Sequence, residues 1–215
     1  MSESVRKIRS FHSRGLGLSS TTDKFCCDQW DLYVANTMFQ SEECRGFFEH
    51  WKSLRVEGDI IPLHKDFLDN PSPRYAPFVH ISEISETGAM IVRLMGTGLV
   101  ERWGRDKTGE AMGEGQPESV REVLYSNTRQ VILNPCGLRS EIELAASGGS
   151  EMLIEAVTLP LIVEPGKPGR LVAYSALLRK LRYGEYSESY KSLANVEWVD
   201  IGAGIPEAPP MMHGQ

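Results

Sequence analysis

Cysteine is scarce: the chain has four among 215 residues, at positions 26, 27, 44 and 136. There is no C-x-x-C pair and no histidine at finger spacing, which argues against a structural zinc site. Neighbours such as Cys26 and Cys27 rarely bridge each other. Four free thiols in a reducing compartment is therefore the expectation. Long apolar runs are missing as well. None approaches the ~18 residues that a membrane helix needs, and the opening "MSESVRKIRSFHSRGLGLSS" lacks the apolar centre of a secretory signal. The expected location is cytoplasmic, with no membrane contact. Positive charge is not in excess either: 23 Lys and Arg stand against 29 Asp and Glu, a net charge of −6. A nucleic-acid partner would require a local basic face. The two mild clusters, Arg6 to Arg14 and Arg179 to Arg182, read as a solvated tail and a strand end. Catalytic signatures are missing too: no G-x-S-x-G, no H-E-x-x-H and no lysine-bearing phosphate loop.

What is present is an ordinary globular balance, 41% hydrophobic and 24% charged, in a chain long enough to bury a real core. Residues 1–40 read as a tail, partly disordered, and residues 41–206 as a single domain. Residues 207–215 read as a second disordered tail. Ser41-Glu42-Glu43 suits a helix start, and Phe47, Phe48, Trp51 and Leu54 recur at helical spacing. Strands are expected over Phe78 to Ile84 and Ala89 to Met95, joined by the hairpin turn "SETG". A short helix then runs through Leu99 to Trp103, and a longer one from Pro117 to Leu133. Three more strands follow: Leu138 to Leu144, Glu151 to Val163 and Arg170 to Leu178. In the first of these Leu138, Ser140, Ile142 and Leu144 alternate with Arg139, Glu141 and Glu143, a pattern that predicts one wet face. The fold class is α+β: a five-stranded antiparallel sheet with helices between strands two and three and an N-terminal helical extension.

"RLMGTGLVERWGRDKTGE", Arg93 to Glu110, has the look of a dinucleotide fingerprint, since an apolar run enters a Gly-Thr-Gly turn and then a helix. The third glycine place of G-x-G-x-x-G is Glu101, however, and no parallel return strand follows at the expected distance. The plainer reading is a strand end at Gly96 and a short helix closed by Gly104 in a left-handed turn. Glu101, Arg102, Arg105 and Asp106 read as charge pairs on a helix surface.

Those same residues carry a resemblance. "GTGLVERWGRDKTGE", with Gly104 and Gly109, resembles the region after the second strand of PAS domains. The whole stretch from "FFEHWKSLRVEGDIIPLHKDF" to the closing "VDIGAGIP" resembles a PAS-like bacterial family known as PAS_5. The match covers roughly Glu43 to Pro206, with His64 standing where the family has arginine. The resemblance implies a curled sheet with a cavity beneath its helices. It also implies a sensory or regulatory module in bacterial signalling, not an enzyme, that binds a small apolar ligand or a signalling protein partner. Candidate lining residues are Val92, Leu94, Leu99, Trp103, Val120, Leu124, Ile142, Ile154 and Tyr174. The plainer alternative is that they fill the core, since any sheet requires such alternation.

No cofactor is expected. Haem requires an axial ligand, usually histidine, and none lies in the long helix or the glycine-turn segment. Cys136 follows the helix and lacks the context of a flavin photosensor cysteine. Cys136 with His80 as nucleophile and base is a weak pairing, of a kind that chance often supplies. The alternative function is a small α+β enzyme with an unrecognised site. Finally, Phe47, Phe48, Trp51 and Leu54 spread too widely around their helix for one narrow groove. They are the expected interface of a homodimer, because monomers rarely expose such a patch.

Overall fold

Ser41 opens the first helix: its Oγ accepts the Cys44 amide at 2.9 Å, the side-chain cap that the sequence suits there. Helix α1 (Glu42–Ser53) buries Cys44, Phe47, Phe48 and Trp51 along one stripe. In the computed structural model, residues 38–145, 150–163, 169–183 and 189–214 are described. A short helix α2 (His64–Asp69) and a 3-10 turn (Ala76–Phe78) lead into the hairpin β1 (Val79–Ile84) and β2 (Met90–Met95). Helices α3 (Thr97–Trp103) and α4 (Glu118–Leu133) come next. They are followed by β3 (Gly137–Ala145), β4 (Ser150–Leu161), β5 (Arg170–Tyr183) and β6 (Ser189–Val199). The strands form one antiparallel sheet in the order β2-β1-β5-β4-β3-β6. Among the described residues no helix is long and apolar enough to cross a membrane.

Alternation divides the sheet into two apolar layers. Val79, Ile81, Val157, Leu159, Val172 and Tyr174 face α1 and α2, where Phe47 stacks on Tyr174 at 5.1 Å. The other face carries Met90, Ile142, Leu144, Ile154 and Leu171 against Leu99, Trp103, Val123 and Val131 of α3 and α4. The two glycines of the Gly-Thr-Gly turn serve this packing. A Cβ on Gly96 would lie 2.2 Å from the Ala76 carbonyl oxygen, and one on Gly98 would lie 2.6 Å from the Phe78 ring. The turn is glycine-rich because the 3-10 turn passes directly against it. Gly104 caps α3 with φ 73°, in the left-handed region as expected.

Three expectations are corrected. The sheet has six described strands where five were expected. Strand β6 escapes the pattern because Asn195 adopts φ 45° and forms a bulge opposite Ser140. That bulge breaks the alternation of the buried residues Leu193, Val196 and Trp198. Second, β3 has no wet face: Arg139 and Glu141 are as buried as Leu138 and Ile142. Strand β6 pairs with its outer edge, and the start of α1 covers the polar side. Third, residues 207–214, expected to be disordered, lie docked on the domain; Trp198 Nε1 donates to the Ala208 carbonyl at 2.8 Å. The expected tail over residues 1–40 falls almost wholly outside the described residues, as do Cys26 and Cys27.

Candidate functional site

A cavity of about 100 Å³ lies between the sheet and the segment running from α3 into the loop before α4. Its floor is apolar: Val92, Ile142, Leu144, Ile154, Ala156 and Ala173 project from four strands. Leu99 and Trp103 of α3 form one wall, and the loop from Lys107 to Gln116 forms the rim. That loop is fixed by running beside β2. The Gly109 amide donates to the Val92 carbonyl at 2.8 Å, and the Met112 amide to the Met90 carbonyl at 2.7 Å. An apolar cavity of about 150 Å³ is known to hold a benzene-sized molecule, so the smaller space here sets a benzene ring as the upper limit of what it takes.

Two polar groups, His80 and Arg102, stand among the apolar walls, and further charged residues sit at the rim. His80 lies on β1 between Val79 and Ile81, so alternation turns its ring to the cavity face. It borders the cavity, and burial lowers its pKa to about 4. The imidazole is therefore neutral at physiological pH, with one nitrogen a donor and the other an acceptor. Arg102, on α3 one turn from Leu99, reaches across the cavity wall. Its Nη1 donates to Ser175 Oγ at 2.7 Å, and its guanidinium lies 5.1 Å from the Phe78 ring centroid. Desolvation lowers its pKa. It is thus a half-buried cation at the cavity edge and not the surface decoration expected of the Glu101–Asp106 charges. Lys107 stands 4.0 Å over the Trp103 ring. Of the two carboxylates at the rim, Glu110 is turned toward Arg105 and Glu114 accepts the Ala111 amide at 3.3 Å.

Six of the nine candidate lining residues border this space: Val92, Leu99, Trp103, Ile142, Ile154 and Tyr174. Tyr174 does so mainly as part of the wall, since its ring stacks on Phe47 in the opposite layer. Leu94, Val120 and Leu124 do not line it. Leu94 is displaced by a bulge at Arg93. Ser82 pairs with Val92, but Ile81 pairs with Leu94, so Leu94 flips to the α2 face and Met95 takes its place beside His80. There Leu94 borders a second cavity of about 90 Å³ among Phe47, Phe67 and Tyr75. Val120 is buried elsewhere. Leu124 meets Gly113, because the rim loop lies between α4 and the cavity.

Sequence reasoning missed His80 and Arg102 as lining residues. The signal for His80 was in the alternation Val79-His80-Ile81-Ser82, which places His80 and Ser82 together. Both read as solvent-facing until the second helical layer covers them. The Ser82 hydroxyl is buried with no hydrogen-bond partner among the described residues.

Cys136 and His80 do not form a pair at this site. Cys136 lies outside the cavity lining, and burial pushes its thiol up to about 12, the wrong direction for a nucleophile. Cys44 is also a free thiol, raised to about 12, and donates to the Glu155 carbonyl oxygen at 3.4 Å. Among the described residues no cluster of His, Cys, Asp and Glu is placed to hold a metal ion.

The proposed dimer stripe is covered within one chain. Phe47, Phe48 and Trp51 are buried and Leu54 packs against the same cluster. Trp51 Nε1 donates to the Pro160 carbonyl at 3.0 Å. Phe39, just before α1, and Phe67 of α2 close the groove from either side. An exposed aromatic patch was the physical basis for a homodimer through this helix, and that patch does not exist.

Comparison of the chain with family models, with curated proteins and with solved structures gave no match.

Proposed function

We propose that this chain is a PAS-like, non-catalytic sensory or regulatory module that takes up a small, largely apolar ligand in the cavity beneath α3. The sheet begins as a hairpin, inserts α3 and α4, and continues as the meander β3-β4-β5, with β5 returning beside β1. A hairpin, inserted helices and a meander is the element order expected from the sequence, and it supports the reading. The observation that carries it is the cavity itself, an apolar chamber with one neutral imidazole and one half-buried guanidinium at its edges. Apolar walls supply affinity and a few polar groups supply orientation, which is how small-molecule sites are built. The ligand's effect would pass to a protein partner.

Native mass spectrometry of freshly purified protein tests this directly. The expected result is a bound small molecule that is released on denaturation. A control is Ala156→Leu, which adds three carbons into the chamber; it should retain the fold and lose the extra mass. If the wild type carries nothing, and no member of a library of small aromatic and branched aliphatic compounds raises its melting temperature, the chamber is plain core and the reading fails.

A further inference from the structure

The docked segment after β6 is held in an unusual way. Asn127, on α4 and 2% exposed, closes its carboxamide on a single peptide residue. Its Nδ2 donates to the Met211 carbonyl and its Oδ1 accepts the Met211 amide, both at 2.8 Å. Trp198 of β6 donates Nε1 to the Ala208 carbonyl at 2.8 Å. Two residues past Met211, the His213 amide and carbonyl pair with Leu193 of β6 at 3.2 and 2.9 Å. Every one of these bonds is made to main chain. The side chains of Met211 and Met212 are 45% and 48% exposed, so the segment buries little of its own apolar surface. Between the Trp198 and Asn127 grips sit Pro209 and Pro210. Neither has an N–H that needs a partner, and both hold the chain extended at low entropic cost.

We propose that the groove between α4 and β6 is a docking site for an extended, proline-led peptide segment of a partner protein, and that residues 207–214 of this chain occupy it in cis. An aromatic N–H and a carboxamide that read main-chain groups on either side of a Pro-Pro step select conformation more than sequence. The exposed methionine positions tolerate substitution, whereas the prolines do not. Among the described strands β6 ends the sheet, so its outer edge offers further main-chain groups to an incoming strand. The cis segment competes at the high local concentration that tethering gives, so a partner gains the groove when this segment is displaced.

The test uses the full chain with residues 207–214 replaced by eight Gly and Ser residues, and a fluorescein-labelled peptide EAPPMMHG followed by anisotropy. Saturable micromolar binding is expected, about tenfold or more weaker to the wild type. Binding should be lost when Asn127→Leu is added and when both peptide prolines are changed to alanine. A replaced-tail protein that melts cooperatively but does not bind overturns the proposal, as does binding that is indifferent to Asn127. Hydrogen exchange on the wild type gives an independent reading. The Met211 and His213 amides should exchange well ahead of the β5 amides; exchange only with global unfolding would make the segment an integral part of the fold and overturn the proposal as well.

Discussion

Arg139 of β3 reaches diagonally to Glu155 of β4, Nε to Oε1 at 2.8 Å, with exposures of 3% and 0%. The guanidinium also reaches Glu141 Oε1 at 2.6 Å and the Asn195 carbonyl at 3.1 Å. Two carboxylates thus share one cation, which leaves one negative charge over. That charge lies at the start of α1, where the Ser41 amide donates to Glu155 Oε2 at 2.7 Å and the Gln40 amide to Oε1 at 2.9 Å. Free amides at a helix N-terminus favour such an anion. The cluster thus ties the start of α1 to the sheet, beside the aromatic packing of its buried face.

Arg139→Met should be strongly destabilising. It removes the one cation that, among the described residues, Glu155 and Glu141 share and leaves both carboxylates buried, a change that typically costs about 3–5 kcal/mol. Urea unfolding followed by tryptophan fluorescence measures it. A loss below about 1 kcal/mol would mean that water reaches the cluster.

Phe48→Glu should unfold the chain and not simply separate two copies. Phe48 packs between Phe39 and Trp51, at 5.6 and 6.2 Å between ring centroids. A carboxylate there loses the ring's burial and has no partner, for an expected cost of about 3–5 kcal/mol. The loss should be independent of protein concentration. A variant that folds normally but sediments at half the wild-type mass would restore the interface reading.

The long periodic elements were legible in the sequence. Helix α4 was expected over Pro117 to Leu133 and runs Glu118–Leu133, because its apolar period and its proline start agree. The five strands β1 to β5 were legible for the same reason. What failed were the places where one residue resets the pleat. The bulge at Arg93 sends Leu94 to the wrong face, and Asn195 hides β6. Polar residues on covered strands were the other blind spot. Alternation places Arg139, Glu141 and His80 correctly on their faces, but it cannot say that a second layer covers those faces.

Trp103→Ala should cost about 3 kcal/mol, the low end for a buried aromatic, because one side of the ring already borders the cavity. For a domain of this size that is a fall of roughly 6–12 °C in melting temperature. Differential scanning calorimetry decides it. An unchanged transition would place the indole outside the core and remove one wall of the proposed ligand chamber.

His80 should make the protein acid-sensitive. Its pKa is about 4 in the fold, against an ordinary value near 6.5 in the unfolded chain. Between those values the unfolded state binds a proton that the folded state refuses. Stability is therefore fully present above about pH 6.5 and is lost as pH falls toward 4, by roughly 3 kcal/mol across that window. Carboxylates such as Glu83, held low by Arg93 and Arg170, weaken the fold at lower pH still, so the histidine must be isolated by difference. Wild type and His80→Gln should be unfolded in urea at several pH values. The gap between them should move by about 3 kcal/mol in favour of the variant from pH 7.5 to pH 4. Parallel stability curves would mean that the imidazole is solvated, and the cavity would then be open to bulk water at β1.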